Sequence, residues 1–443
     1  MRIRDIATET SPTAGLNGVG ARVTRALSGV EANEIRATVA AGLFIFILMA
    51  SYYVLRPVRD AMASDWSDTE VSLLWNLNFF ISAAIVSVYG FAVSRIRLRR
   101  IVPVVYTFFA ASFVAFYLGV TGIDDRVLVD KSFYVWVSVF ALFHVSVFWT
   151  FMADTFSKDQ ARRLFAVIGA GASAGALVGP ALPTLAAGRL GNETLMLIAS
   201  VGLIAVIPLV FYLYHLKRTE LGNEDVSADT GAAVIGGRWW HGFKAFVANP
   251  YLLGIGAFIV LYVFIGSFVY FEQKNLLEPF TREERTQILG GIDWIVNVVT
   301  FGLAFFVTGR IVTRLGMPTA LALMPLLIAG GMLILAFAPI LTVLLALQVF
   351  RRGGNYGLTR PAREMLYTHV GREDRFKSKP VIDIVVYRGG DALSASLFAF
   401  LTEGIGLGLA AVAAVGAGIA AVWGWVGVRL GRVFDRRQEQ ASG

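Results

Sequence analysis

Arg388 and Asp391 stand three residues apart in VYRGGD, inside an apolar run that begins near residue 380. That spacing puts both on one helical face, where they can pair. Counting from Lys379 at 1.5 Å per residue, Arg388 lies roughly 13 Å and Asp391 roughly 18 Å into the run, near the middle of a hydrocarbon layer roughly 30 Å thick. Ionisable groups at that depth cost at least ~2.5–3.5 kcal/mol. Such a pair is either a strut that neutralises itself or part of a route for a charged solute or a proton.

Other polar groups interrupt apolar runs in the same way. YYVLRPVRD, Tyr52 to Asp60, holds Arg56 and Arg59 on one face and Asp60 four residues after Arg56. Guanidinium forks suit phosphate or carboxylate, and Asp60 can hold Arg56 when no anion is bound. Depth counting from Ala37 puts Arg56 close to the far membrane face, so rim charge and anion handling both stand as readings. Pro57 can loosen the helix between the two arginines. GIDWIVNVV carries Asp293 and Asn297 one turn apart, ALFHVSVFW carries His144 near the middle of its run, and Asn76 and Asn78 sit in another. A central imidazole can relay protons, bond a solute, or simply bond a neighbouring helix.

The elements that must carry these groups are membrane helices. The 443 residues are 56% hydrophobic and 16% charged, with mean hydropathy +0.66. Apolar spans near 37–58, 71–93, 101–120, 133–153, 164–187, 194–215, 250–271, 287–308, 318–337, 340–358, 380–401 and 406–428 predict an all-α membrane protein of twelve helices. The N-terminal segment, the loops after even-numbered spans and the tail hold 30 of the 39 Lys and Arg. That bias predicts both termini in the cytoplasm and reads the pI near 9.7 as topology rather than nucleic-acid binding, and the membrane is expected to be a bacterial inner one. No cysteine is present, which excludes thiolate metal sites and cysteine nucleophiles. With no Gly-Lys-(Ser/Thr) and no HExxH motif, the chain reads as neither a pump nor a metalloprotease, and no enzyme, metal or cofactor is expected.

Residues 1–35 read as a polar lead-in, 36–216 as six helices, 217–244 as a Gly- and Asp-containing linker, 245–428 as six more, and 429–443 as a tail. This 6+6 layout resembles the major facilitator folds, whose halves rock around a central site. GFAVSRIRLRR and GRIVTRLG, tight basic loops in equivalent places of the two halves, agree with it, although positive-inside bias alone also explains them. In the fifth span GAGASAGALVGPALP, Gly169 to Pro183, spaces small residues for close helix packing, with a bend expected at Pro180 and Pro183.

Three stretches carry a closer resemblance. YYVLRPVRDAM is similar to the first-helix signature of the nonmitochondrial ATP:ADP antiporters, nucleotide exchangers of plastids and intracellular bacteria with shorter relatives in free-living bacteria. FWTFMADTFSKDQARRLFAVIGAGASAG resembles their fourth-helix exit, and RPAREMLYTHVGREDRFKSKPVIDIVVYRGGD their entry to helix eleven. The resemblance implies transport-critical charge at Arg59, Asp154, Glu272 and Arg388. Asp391 departs from it, standing where nucleotide exchangers carry a lysine. An anion there repels a triphosphate, so the resemblance leaves the solute open.

Together these readings predict a secondary transporter for an anionic, nucleotide-like small molecule. Arg59, Arg388, Arg56, Glu272 and Asn297 are expected to meet the solute. Asp391, Asp293 and His144 are expected to couple it to protons or a counter-solute, and Asp60 and Asp154 to act as gates. The alternatives are a proton-coupled symporter or exporter of another organic solute, or a non-transporting membrane sensor or assembly partner on the same fold. The lipid bilayer is the other expected partner, and a nucleic acid polymer is not.

Overall fold

A computed structural model describes residues 29–95, 98–223, 241–306, 308–371, 378–379 and 381–442. Most of the expected lead-in, residues 224–240 of the expected linker, and residues 96–97 and 372–377 of two expected basic loops lie outside the described residues. Among the described residues all regular structure is helical, the arrangement that satisfies backbone polar groups internally in lipid.

The first half contains α1 (Ile35–Met62), α2 (Asp68–Arg95), α3 (Leu98–Gly122), α4 (Val127–Thr155), α5 (Lys158–Val178) and α6 (Ala181–Thr219). The second contains the short α7 (His241–Ala248), then α8 (Pro250–Leu277), α9 (Arg282–Phe306), α10 (Thr308–Phe337), α11 (Leu341–Gly354), α12 (Arg360–Leu366), α13 (Tyr387–Ala399) and α14 (Leu409–Ser442). Two glycines reverse the chain inside continuous helical stretches: Gly191, with φ 77°, ends the fifth pass within α6, and Gly316, with φ 76°, separates the eighth and ninth passes within α10. Only glycine takes this backbone without strain. Twelve passes result, in the 6+6 bundle that the apolar spans predict.

Local signals place the helix starts. Ser157 and Gln160 form a reciprocal capping box at α5, and Asn249 caps α8 ahead of Pro250. Three boundaries differ from expectation. Residues 309–315 continue as helix instead of looping, α14 runs through the expected tail to Ser442, and α1 passes Pro57 unbroken to Met62. The tenth and eleventh passes each contain π-helical turns, at Asn355–Thr359, Val381–Val386 and Phe400–Gly404, a wider geometry often found beside functional sites.

The small residues of the fifth pass do what their spacing predicts. A Cβ at Gly171 or Gly175 would run into the carbonyl oxygens of Gly42 and Phe46 in α1, and one at Gly179 would stand 2.8 Å from the Cα of Ala50. The α1 and α5 backbones therefore touch over about two turns. Behind α1, Phe44 makes edge-on contacts with Tyr106 and Phe148, at centroid distances of 5.6 and 5.0 Å. Phe268, Phe271 and Phe398 form the matching cluster in the second half. Large apolar side chains such as Leu128, Leu185 and Phe337 stay exposed on the outside, as a lipid-facing surface requires.

Candidate functional site

Between the halves lies a cavity of about 410 Å³, walled by α1, α2, α4, α8, α9, α11, the turns after α11, and α13. Its ionisable wall consists of Arg56, Arg59 and Asp60 from α1, Asp293 from α9, Arg351 and Arg352 from α11, and Arg388 and Asp391 from α13. Five arginines against three aspartates leave a surplus of two positive charges, 5 − 3 = 2. Tyrosines fill much of the rest: Tyr52, Tyr134, Tyr262, Tyr270, Tyr356 and Tyr387.

The charges form a connected network. Asp60 accepts from Arg59 Nε at 2.9 Å and Nη2 at 2.6 Å, and Arg56 Nε lies 3.7 Å from its other oxygen. Asp293 Oδ1 receives Arg352 Nη1 at 2.5 Å from its own half and Arg56 Nη1 at 3.6 Å from the opposite half. One carboxylate thus joins α1 to α9 and α11. Arg59 also donates to Ser138 at 3.2 Å and lies over the Tyr134 ring. Arg388 and Asp391 pair at 3.4 Å, as their spacing predicts.

Six of the ten expected site residues therefore share one wall. Arg56 lines the same cavity as Arg388, bonded within it to Asp60 and Asp293. The other four lie elsewhere. Glu272 is fully buried behind the wall, and neither of its carboxylate oxygens has a hydrogen-bond partner among the described residues. Asn297 is not among the cavity-lining residues; it donates to the Ala176 carbonyl at 2.6 Å and accepts from Tyr53 at 3.5 Å. His144 sits one ring behind the wall, stacked on Tyr52 at 4.4 Å with Nδ1 3.2 Å from the Phe140 carbonyl. Asp154 meets Lys217 at 3.0 Å, a contact that joins α4 to α6. Of the paired asparagines, Asn78 reaches the cavity and Asn76 bonds Ser396 at 3.1 Å.

Arg351 and Arg352 are what sequence reasoning missed, having been counted among the loop cations. Each is only 7% exposed. The signal was available, because counting from Leu341 puts Arg351 roughly 15 Å into its pass.

Among the described residues, polar contacts between the halves lie level with the cavity or at the face away from the termini. At that face Asp68 accepts from Lys274 at 2.7 Å, Asn275 at 3.2 Å and Thr402 at 2.8 Å, while its backbone N–H donates to Glu403 at 2.6 Å. Arg282 reaches Asp65 at 2.5 Å and Asp130 at 2.8 Å, and Arg285 reaches Asp65 at 2.6 Å. Trp75, Tyr134 and Tyr270 close the layer beneath through hydrogen bonds of 2.7 and 2.8 Å. At the terminal face Arg163 meets Glu34 at 2.7 Å within the first half and Lys379 meets Glu364 at 2.5 Å within the second. Burial, the largest influence, pushes the Glu34 carboxyl up. The Glu31 backbone N–H and the Arg163 guanidinium outweigh it and hold that carboxyl below its ordinary value.

The fold has close parallels among solved structures. It superposes on a bacterial homolog of the human lysosomal transporter Spinster in its inward-facing, unoccupied conformation with a TM-score of 0.59, at 16% identity over 92% of this chain and 99% of that one. The occupied form of that protein gives 0.55 at 13% identity. In sequence, the chloroplastic ADP,ATP carrier proteins 2 and 1 of Arabidopsis thaliana are each 21% identical to the chain, over 82% and 81% of its length and 68% and 67% of theirs. The family model of the Major Facilitator Superfamily matches residues 41–375. With that match over most of its length, and with two six-helix halves around one charged cavity, the chain belongs to the Major Facilitator Superfamily.

Proposed function

We propose that the chain is a secondary transporter that carries a ring-bearing organic anion, of the nucleotide-like kind, by alternating access between residues 36–216 and 245–428. The observation that carries this is the wall of five arginines against three aspartates at the junction of the halves. Guanidinium groups bind phosphate and carboxylate through paired donors, and a cavity of about 410 Å³ is of a size that encloses small organic molecules. The tyrosines supply faces for a planar ring. The 21% likeness to chloroplastic ADP,ATP carriers supports a nucleotide-like solute, while Asp391 on the wall weakens the case for a triphosphate.

With the termini in the cytoplasm, as the basic loops imply, the face sealed by Asp68, Lys274 and Arg285 is the outer one. A second reading, coupling to protons, rests on Asp391, a cavity carboxyl whose one ion-pair partner among the described residues is Arg388 at 3.4 Å. Uptake into proteoliposomes, screened with nucleotides, phosphorylated sugars and organic acids, tests both. Accumulation of an anion that is lost in Arg352→Gln supports the first reading, and abolition of flux by a protonophore supports the second. Transport of neutral solutes alone would overturn the anion assignment.

A further inference from the structure

The five cavity arginines are not equivalent once their acids are assigned. Arg59, Asp60, Arg56, Asp293 and Arg352 form one chain of ion pairs, three cations to two anions, and keep one positive charge in surplus. Arg388 and Asp391 cancel. Arg351 has no carboxylate partner among the described residues. Its Nε and Nη2 both donate to Gln348 Oε1, at 3.1 and 2.7 Å, and Gln348 in turn donates to Gln273 at 2.8 Å.

A guanidinium 7% exposed and held only by an amide is a charge taken from water without compensation, which is costly unless an anion arrives. The site is also shaped around it. Gly266 lines the cavity against Arg351, and a Cβ there would stand 3.2 Å from Nη1. Gln348, itself held by Gln273, fixes two of the guanidinium nitrogens, and bare backbone at Gly266 leaves room for the third. The second surplus charge belongs to the ion-pair chain that ends at Arg352, the next residue of α11.

We infer that Arg351 is the residue that takes the charged group of the solute, and that this group is a dianion of the phosphate monoester class, matched to the two surplus charges of the wall. The inference rests on the reading of the chain as an anion transporter. A neutral solute leaves Arg351 unmatched, and a solute of four negative charges meets the three wall aspartates with charge to spare.

The test uses the full-length protein in lipid nanodiscs, with binding measured for adenosine, AMP, ATP and phenyl phosphate. AMP or phenyl phosphate is expected to bind more tightly than adenosine and than ATP. In Arg351→Gln the affinity for the dianion is expected to fall about tenfold to a hundredfold, the worth of a hydrogen bond to a charged group, with adenosine unchanged. Equal dianion affinity in wild type and Arg351→Gln overturns the inference and leaves anion transport standing. Tighter binding of ATP than of either dianion overturns the charge match. A wild type that binds neither dianion, and takes up only neutral solutes, overturns both readings together. Should Arg351→Gln fail to fold, Gly266→Ala crowds the same nitrogen while keeping every charge. An unchanged dianion affinity there counts against the inference as well.

Discussion

Removing the charge of Asp68 should change which face of the protein the cavity opens to. Asp68 is 5% exposed and collects Lys274, Asn275 and Thr402, all from the other half. In Asp68→Asn the amide can still meet Asn275 and Thr402, but the Lys274 ammonium, also 5% exposed, loses its counter-charge. Breaking a buried pair by taking away one partner costs roughly 3–5 kcal/mol. That cost falls on the sealed state alone, because water reaches Lys274 once the halves part. At ~1.4 kcal/mol per decade, the balance between sealed and opened states moves by roughly 10²- to 10³-fold or more. The chain has no cysteine, so Thr69→Cys and Glu278→Cys, both exposed on that face, can be spin-labelled without background. Pulsed electron resonance in nanodiscs without solute should give a longer and broader distance distribution in Asp68→Asn than in the parent pair. Adding Lys274→Met, which removes the stranded charge, should bring it part of the way back. Identical distributions with and without Asp68→Asn would refute the reasoning.

Three further outcomes follow from the packing and the network. Gly175→Val drives a branched side chain into the Phe46 carbonyl, and the overpacking is expected to lower stability by about 1–3 kcal/mol in a thermal unfolding assay, with Gly169→Ala, where nothing lies within 4 Å, serving as the neutral control. Arg352→Gln leaves Asp293 with only the longer contact to Arg56, so it is expected to destabilise more than the Arg352→Gln/Asp293→Asn double variant; a double-mutant cycle should give a coupling of about 0.5–3 kcal/mol. Glu34 has a folded-state pKa below its unfolded value, so its contribution is complete above the unfolded value of 4.5 and is lost as pH falls through the lower, folded one. Melting temperatures of wild type and Glu34→Gln should therefore converge on acidification from pH 7 to below pH 4.5, and a constant gap would count against the Arg163 contact.

How much of this was legible in the sequence depends on the range over which each feature is encoded. Pass number follows from run length, and close packing along the fifth pass from the small residues every four positions at Gly171, Gly175 and Gly179, a pattern that does not name α1 as the partner. The α13 pair, Arg388 and Asp391, is a local i,i+3 feature and was equally plain. The sealed face was not legible, because Asp68 and Lys274 lie 206 residues apart and no local pattern marks them as partners. Arg351 and Arg352 were lost for another reason. Positive-inside counting treats every cation near a span end as a loop cation, and π-helical turns after Gly354 carry the tenth pass further than its hydropathy shows.

Depth along a helix and direction around it are separate quantities, and run length supplies only the first. Arg56 was placed near a membrane face because about 30 Å of rise was counted from Ala37 on a helix taken as upright. The observed α1 has 28 residues, roughly 42 Å of rise, and the sealing layer begins beyond its end at Asp65 and Asp68. The arginine is therefore a cavity group with another layer above it. Direction separates Glu272 from Gln273. Each residue turns an α-helix by about 100°, so Gln273 faces the cavity while its neighbour points into the packed interior. His144 and Tyr52 differ likewise, the tyrosine forming the wall and the imidazole backing it. A charge inside an apolar run thus marks a helix worth inspecting, and only the packing of its neighbours determines whether that charge meets a solute.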